Sequence, residues 1–490
     1  MQVVDAIPRI SDICRKAKNL RNSLAPINKL PPETLALVAA FVEPGRELID
    51  ATAVCRYWRT TLLSFPRLWN RIDFSHWAQF RTYLERSKSV PLEVLLRNPS
   101  PFLLELLVPY TSRLASLTVW ANTMSDDFTR VAHYLQKPIP ALRKFGIIMP
   151  FGGNGSELPP GTSNNHLLHV RELELRGVPW FRAPNAFPHV IKLTWHVASR
   201  SGDPLRLAGL LDTLEQLPLL ERVHLTFPTS QYYNDIPAHH VVTLPHVHQV
   251  SLSCPKGGAA GIPPILEFLK LPNLTSLAII VDMPSIYSRS LPNFPITSFG
   301  EHLPNFVQLP EMGIHICDGS GQISFRSPSQ AVLEYRAIAR GLGMAPYLQD
   351  REFWGGIPLH TVRKVTAALN LSTKGMIEDT WLLGLLCDLS SLEHLELEGQ
   401  CSYILRHLRQ IMIRRDTLLG LKTLTVRSGA FETRQALRLK EAAEWLGLEI
   451  IVTCTPDPEV PDFDDERDSE GWSESWEWSD EEHWFGEERD

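Results

Sequence analysis

The densest group of side chains that could do chemistry is His239, His240, His246 and His248. On a strand, residues two apart share a side, so His246 and His248 would face one way and Val247 the other. A zinc site needs three or four ligands converging at tetrahedral geometry, and no cysteine or carboxylate near these four completes a set. They read as ordinary histidines on a polar face. Seven cysteines, at 14, 55, 254, 317, 387, 401 and 454, are scattered, odd in number and without a C-x-x-C pair. That pattern fits reduced thiols rather than metal ligands or a disulfide framework. No G-x-S-x-G elbow, H-E-x-x-H pair or Walker loop occurs. A Ser/His/Asp triad needs no adjacency in sequence, but nothing points to one. The expectation is a chain that binds without breaking bonds and needs no cofactor or metal.

A chain of 490 residues with 44% apolar content can bury a large core and exceeds one ordinary domain. Its net charge of −7 is unevenly placed. Residues 457–490 hold sixteen Asp or Glu against Arg467 and Arg489, which is −14, leaving about +7 for the rest. An acidic tail would compete with phosphates, so no nucleic acid is expected as a partner. The first thirty residues are charged throughout, unlike a secretory signal, and no apolar run of about 18 residues suggests a membrane span. A cytoplasmic or nuclear location follows as an expectation.

The elements that would present a binding surface begin at residues 30–74. Pro31 and Pro32 open a helix where a missing N–H does no harm, and Glu33 favours its first-turn dipole. Leu35, Val38, Phe41 and Val42 recur at helical spacing, and Glu43-Pro44-Gly45 ends the run. Leu48, Ile49, Ala53, Val54 and Trp58 mark a second helical segment, followed by Phe65-Pro66-Arg67-Leu68-Trp69.

This stretch resembles an F-box. The resemblance rests on Leu30-Pro31-Pro32-Glu33, Leu35, Val38 and Phe41, then Val54-Cys55-Arg56-Tyr57-Trp58-Arg59, then Leu68-Trp69. Thr34 stands where the family usually carries Leu or Ile. The resemblance implies docking to a Skp1-like adaptor of a cullin ubiquitin ligase. Leu30, Pro31, Leu35, Val38, Val54 and Trp58 are the expected contact residues, with Phe41 and Trp69 holding the hairpin's own core.

Beyond the hairpin a cassette returns: apolar, two variable, apolar, one variable, apolar. Leu114-x-x-Leu117-x-Val119, Val170-x-x-Leu173-x-Leu175 and Leu392-x-x-Leu395-x-Leu397 are examples. The usual spacing of 20 to 30 residues is that of leucine-rich repeats. Alternate residues of a short strand point to one side, and repeats must stack because none buries its apolar face alone. Helical returns are expected at 103–108, 204–217, 265–269, 381–389 and 434–446. The region resembles the irregular leucine-rich repeats of fungal F-box proteins, though the Asn or Cys that commonly follows the strand is mostly absent. Residues 281–358 break the rhythm. One or two degenerate repeats are expected there, with a strand at Ile323 and Phe325 and a helix over 330–341.

The predicted organisation is α/β. An amphipathic leader helix spans 1–25, with its apolar side against the hairpin or, alternatively, offered to a partner or a membrane surface. A helical F-box-like domain covers 26–70. A leucine-rich-repeat-like solenoid with a curved parallel sheet fills 71–454, with a loop insert at 150–165. An acidic, Trp-rich tail at 455–490 is either disordered or an interaction segment. The implied role is that of a substrate-recognition adaptor in an SCF-type ubiquitin ligase. Its partners would be a Skp1-like protein, cullin ligase subunits and an unknown protein substrate, with no nucleic acid and no membrane. The alternative is an interaction scaffold outside any ligase, in which the hairpin only caps the solenoid.

Overall fold

The structure is a computed structural model that describes residues 2–456. The main gaps fall at 121–130, 150–155, 158–166, 198–206, 228–240, 255–264, 284–301, 340–356, 371–379 and 409–419, with shorter ones between. The insert at 150–165, apart from a two-residue strand at Ser156–Glu157, and the tail from 457 onward lie outside the described residues.

Helix α1 (Gln2–Leu24) leads into a 3-10 turn at Pro26–Lys29. Three short helices follow: α2 (Pro32–Ala40), α3 (Arg46–Ala51) and α4 (Arg56–Ser64), closed by a 3-10 turn at Pro66–Trp69. The chain then enters strand β1 (Arg71–Asp73), helix α5 (Trp77–Arg86), β2 (Leu92–Arg97), α6 (Pro101–Leu107), β3 (Leu114–Trp120) and β4 (Lys144–Ile148). Next come β5 (Ser156–Glu157), β6 (Glu172–Arg176), β7 (Phe181–Arg182), β8 (Lys192–His196), helix α7 (Leu207–Glu215) and β9 (Arg222–Thr226). Strands β10 (Val242–Thr243), β11 (Gln249–Cys254), β12 (Leu269–Lys270), β13 (Ser276–Met283), β14 (Glu311–Cys317), β15 (Ser320–Arg326) and β16 (Val332–Ala339) continue the chain. It closes with β17 (Lys364–Asn370), α8 (Thr380–Asp388), β18 (His394–Gly399), β19 (Thr423–Ser428), α9 (Ala430–Trp445) and β20 (Ile451–Pro456).

Sixteen of these strands form one sheet, in the order β1-β2-β3-β4-β6-β8-β9-β11-β13-β16-β15-β14-β17-β18-β19-β20. Among the described residues, the cassettes end in strands whose second and third apolar residues are buried, as in Leu173 and Leu175 of β6. The residues between them, Glu172, Glu174 and Arg176, look out from the opposite side. A parallel sheet covered on both faces would read as a continuous apolar run, so this alternation means one face is packed and the other open. The helices and turns that return between strands lie on the packed side, and one apolar core runs from Ala39 to Ala443.

The same turn precedes strand after strand. The first cassette residue donates its N–H to the carbonyl three residues earlier: Leu142 to Ile139, Val170 to Leu167, Val190 to Phe187, Leu220 to Leu217, Leu274 to Leu271 and Leu392 to Leu389. Those earlier residues are themselves buried, so the repeating unit is one apolar position longer than the cassette. Of the expected returns, α6, α7, α8 and α9 are helices, while 265–268 forms only a 3-10 turn.

Residues 330–341, expected as a helix, instead contain strand β16. Ala331, Leu333 and Tyr335 alternate into the core, while Glu334 and Arg336 pair on the open face at 2.5 Å. Period two and burial thus override the helix-forming Leu, Glu and Arg. Nor is 281–358 simply a weak repeat. There β14 runs antiparallel to β15 and β15 antiparallel to β16, so the chain doubles back inside an otherwise parallel sheet. Strands β14 and β16 still rejoin the parallel ladder, on β17 and β13 respectively.

Candidate functional site

The helical domain at the start of the sheet has a closed core and an open apolar edge. Leu35, Ala36, Ala39, Leu48, Leu62 and Trp69 are buried. Leu35, Ala36 and Ala39 form the inner face of α2, which leaves Leu37 and Val38 turned outward. Leu37, Val38 and Val42 are exposed, Phe41 is 91% exposed, and Val54, in the turn before α4, is 60% exposed. Exposed apolar residues gathered on one small domain mark a contact surface.

The residues expected to make contact separate into two groups. Pro31, Val38 and Val54 lie on the open surface. Leu35 does not: it is fully buried, because the inner face of α2 runs through 35, 36 and 39 rather than through 35, 38, 41 and 42. Leu30 and Trp58 are half-buried and hold the domain together. The Leu30 carbonyl accepts the Tyr57 hydroxyl, and Trp58 Nε1 donates to Asn28 Oδ1 at 2.6 Å. Phe41, expected in the core, is instead the most exposed apolar side chain of the edge. Trp69 does hold the core, fully buried with Nε1 donating to the Leu62 carbonyl at 2.9 Å. Leu37 was missed. Its i,i+4 spacing to Phe41 was the available signal for a second apolar face on α2.

The leader helix does not pack its apolar side on the hairpin, the first of its two expected arrangements. Ile10, Ile13, Leu20 and Leu24 are all exposed rather than packed on the hairpin. The polar side of α1, through Ser11, Arg15, Lys18 and Asn22, faces residues 52–59 instead. No helix among the described residues is long and apolar enough to cross a membrane.

The open sheet face carries a second cluster. Arg176, His196, Thr226 and Ser253 occupy matched positions on β6, β8, β9 and β11. The His196 and His224 rings meet edge to face at 5.7 Å, His224 Nε2 lies 3.3 Å from Thr226 Oγ1, and that hydroxyl lies 2.8 Å from Ser253 Oγ. Glu174 accepts from Lys144 at 2.9 Å and from Arg176 at 2.7 Å. Burial raises the Glu174 pKa, but these two cations outweigh it and hold the carboxyl below its ordinary value. Both histidines are pushed below the ordinary imidazole value, by burial first and then by the positive charge of Arg176. Neither is part of the histidine group singled out from sequence. Of that group, His239 and His240 lie outside the described residues, while His246 and His248 sit on the turn entering β11. No group of potential metal ligands occurs among the described residues.

The depressed pair gives a pH prediction. Between the folded-state pKa and about 6.5 the unfolded chain binds more protons, so stability falls as pH drops through that window. A His196→Gln, His224→Gln double variant is expected to flatten the pH dependence of unfolding free energy between about pH 7 and 5. Glu174 contributes only at lower pH, since a depressed carboxyl loses its stabilisation as pH falls through its own folded pKa. Denaturant unfolding at a series of pH values measures this. Parallel curves for variant and parent would refute the reading.

No curated protein and no solved structure matches the chain. Residues 27–75 match the family model described as F-box-like, so the edge formed by Val38, Phe41 and Val54 is the exposed side of an F-box-like domain joined to a large, mostly parallel sheet.

Proposed function

We propose that this chain is a substrate-recognition adaptor of an SCF-type ubiquitin ligase. In this reading the F-box-like domain docks a Skp1-like protein and so joins a cullin complex. The sheet region acts as an irregular leucine-rich-repeat array that holds a target protein on its open face. The chain itself carries out no bond chemistry, and its reduced cysteines suit the cytoplasm or nucleus. The observation that carries the reading is the apolar edge on the F-box-like domain, which the chain's own fold leaves uncovered.

Surface substitutions test it cleanly. Phe41→Asp and Val54→Asp change exposed side chains, so the fold should survive. Each is expected to weaken binding of a recombinant Skp1-like adaptor by roughly 10- to 100-fold. Leu35→Asp would be misleading, because it buries a charge in the core and unfolds the domain. If both surface variants bind the adaptor as the parent does, the docking role is wrong.

A second reading has one specific observation behind it. Trp69 and Leu62 belong to the same apolar core as Ile72 of β1, so the helical domain also caps the first strand. Terminal units of repeat arrays need such covers. Deleting residues 1–65 separates the roles. Insolubility of the remainder shows capping, whereas a soluble remainder that has lost adaptor binding shows a dispensable docking module.

A further inference from the structure

Between α1 and the start of α4 lies a cleft of about 460 Å³. Four cations line it: Arg15 and Lys18 from α1, Arg56 and Arg59 from α4. None of its lining residues is Asp or Glu. Asp12, outside the lining, pairs with Arg15 and Lys16, and among the described residues no carboxylate pairs with Lys18, Arg56 or Arg59. Arg59 donates through Nε to the Thr52 carbonyl at 3.1 Å, and this fixes its guanidinium at the cleft wall. Four cations converging on one cleft make its potential positive, which favours entry of an anionic group. Val54 lines the same cleft and also belongs to the apolar docking edge.

We propose that this cleft receives a carboxylate-rich peptide segment of the protein that docks on the F-box-like domain. The leader helix would then be half of a composite docking site rather than a mere lead-in. The proposal rests on the docking function above and adds the chemistry of the partner. The volume exceeds a single small anion, and the cations come from two elements, which suits an extended acidic segment. The chain's own residues 457–490 are also acidic. They follow β20, at the opposite end of the sheet from β1. Fifteen strand spacings at about 4.8 Å are roughly 70 Å along the sheet.

The test uses the full chain, a Skp1-like adaptor and a synthetic Glu/Asp peptide as probe. Lys18→Glu with Arg56→Glu alters exposed side chains only. Expected results are peptide binding to the parent that weakens steeply with salt, loss of that binding in the double variant, and adaptor affinity reduced roughly 10-fold with a shallower salt dependence. If the double variant binds adaptor with unchanged affinity and salt dependence while Val54→Asp abolishes docking, the cleft proposal is overturned and the docking reading stands. If Phe41→Asp and Val54→Asp also have no effect, the docking reading fails and this proposal falls with it. Peptide binding that appears only after residues 457–490 are removed would make the tail the occupant and overturn the proposal as stated.

Discussion

Replacing Trp69 by alanine is expected to destabilise the chain by about 3–5 kcal/mol, the usual cost of emptying a large aromatic site in a core. The indole is fully buried and is held from three sides. Its N–H donates to the Leu62 carbonyl at 2.9 Å, tying the 3-10 turn to α4. Its ring meets Tyr83 of α5 edge to face, with centroids 5.0 Å apart. The Arg86 guanidinium lies 4.4 Å from the ring centroid. Arg86 is itself desolvated, and burial lowers its pKa. Its Nη1 is buried without a hydrogen-bond partner among the described residues, so the indole face is a main compensation for that partly desolvated charge. Removing the ring therefore leaves a cavity, takes one of two hydrogen bonds from the Leu62 carbonyl, which keeps the Phe65 N–H, and leaves a worse-placed cation. Trp69→Phe separates these. It keeps most of the volume and loses the N–H, and it is expected to cost about 1–2 kcal/mol. Chemical denaturation of both variants measures the difference. An alanine variant within about 1 kcal/mol of the parent would show that the helical domain is not anchored here.

The functional consequence lies in the join. Tyr83 donates its hydroxyl to the Gly45 carbonyl at 3.0 Å and accepts the Gly45 N–H at 2.9 Å, so α5 also grips the turn before α3. Trp69 and Tyr83 thus fix the F-box-like domain to the first strands of the sheet. The open sheet face is thereby held at a set position relative to the exposed apolar edge of that domain.

Much of this was legible because burial on one face leaves a period-two trace. Leu173 and Leu175, or Leu395 and Leu397, are apolar because they point into the core, and their neighbours are polar because they do not. Where the trace was incomplete, reading failed for identifiable reasons. Strand β2 has Val94 and Leu96 at the right places, but Pro91 stands where the leading apolar residue belongs. Strand β16 has Leu333 and Tyr335 but Gln330 in that position, with a positive φ of 65°. Leu309-x-x-Met312-x-Ile314 does fit the cassette, all three residues being buried, yet it was hidden in a segment whose strands reverse direction. The docking edge was harder. Apolar residues surround α2, and only the packing of Ala36 and Ala39 decides that Leu35 is inside and Phe41 outside. The basic cleft has no linear trace, since Lys18 and Arg56 meet only through the fold.

Gly177→Ala should be strongly damaging. Gly177 closes β6 with φ +75°, a region that costs an L-residue on the order of 1–2 kcal/mol. Space adds to conformation. A Cβ built there would overlap the Met149 carbonyl oxygen and lie 2.8 Å from its carbon. Backbone atoms cannot rotate away as a side-chain tip can, so the strand ends must separate, adding a further ~1–3 kcal/mol. The strand ends involved are tied to the open-face cluster. Met149 donates its N–H to the Arg176 carbonyl at 2.8 Å, and Gly177 donates to the His196 carbonyl at 2.9 Å. Moving either bond shifts Arg176 against His196. The expected result is a loss of about 2–5 kcal/mol together with an altered pH dependence in the window set by His196 and His224. Two other glycines show that the effect is local rather than general. At Gly313 an added Cβ would meet only the Ser324 hydroxyl, which can turn aside, so alanine there should cost little. Gly384, within α8, has nothing within 4 Å of the added carbon, and alanine there should stabilise by about 0.5–1 kcal/mol through helix propensity. Thermal and denaturant unfolding of the three single variants would rank them. If Gly177→Ala proves no worse than Gly313→Ala, the close approach of Met149 and Gly177 does not constrain the sheet.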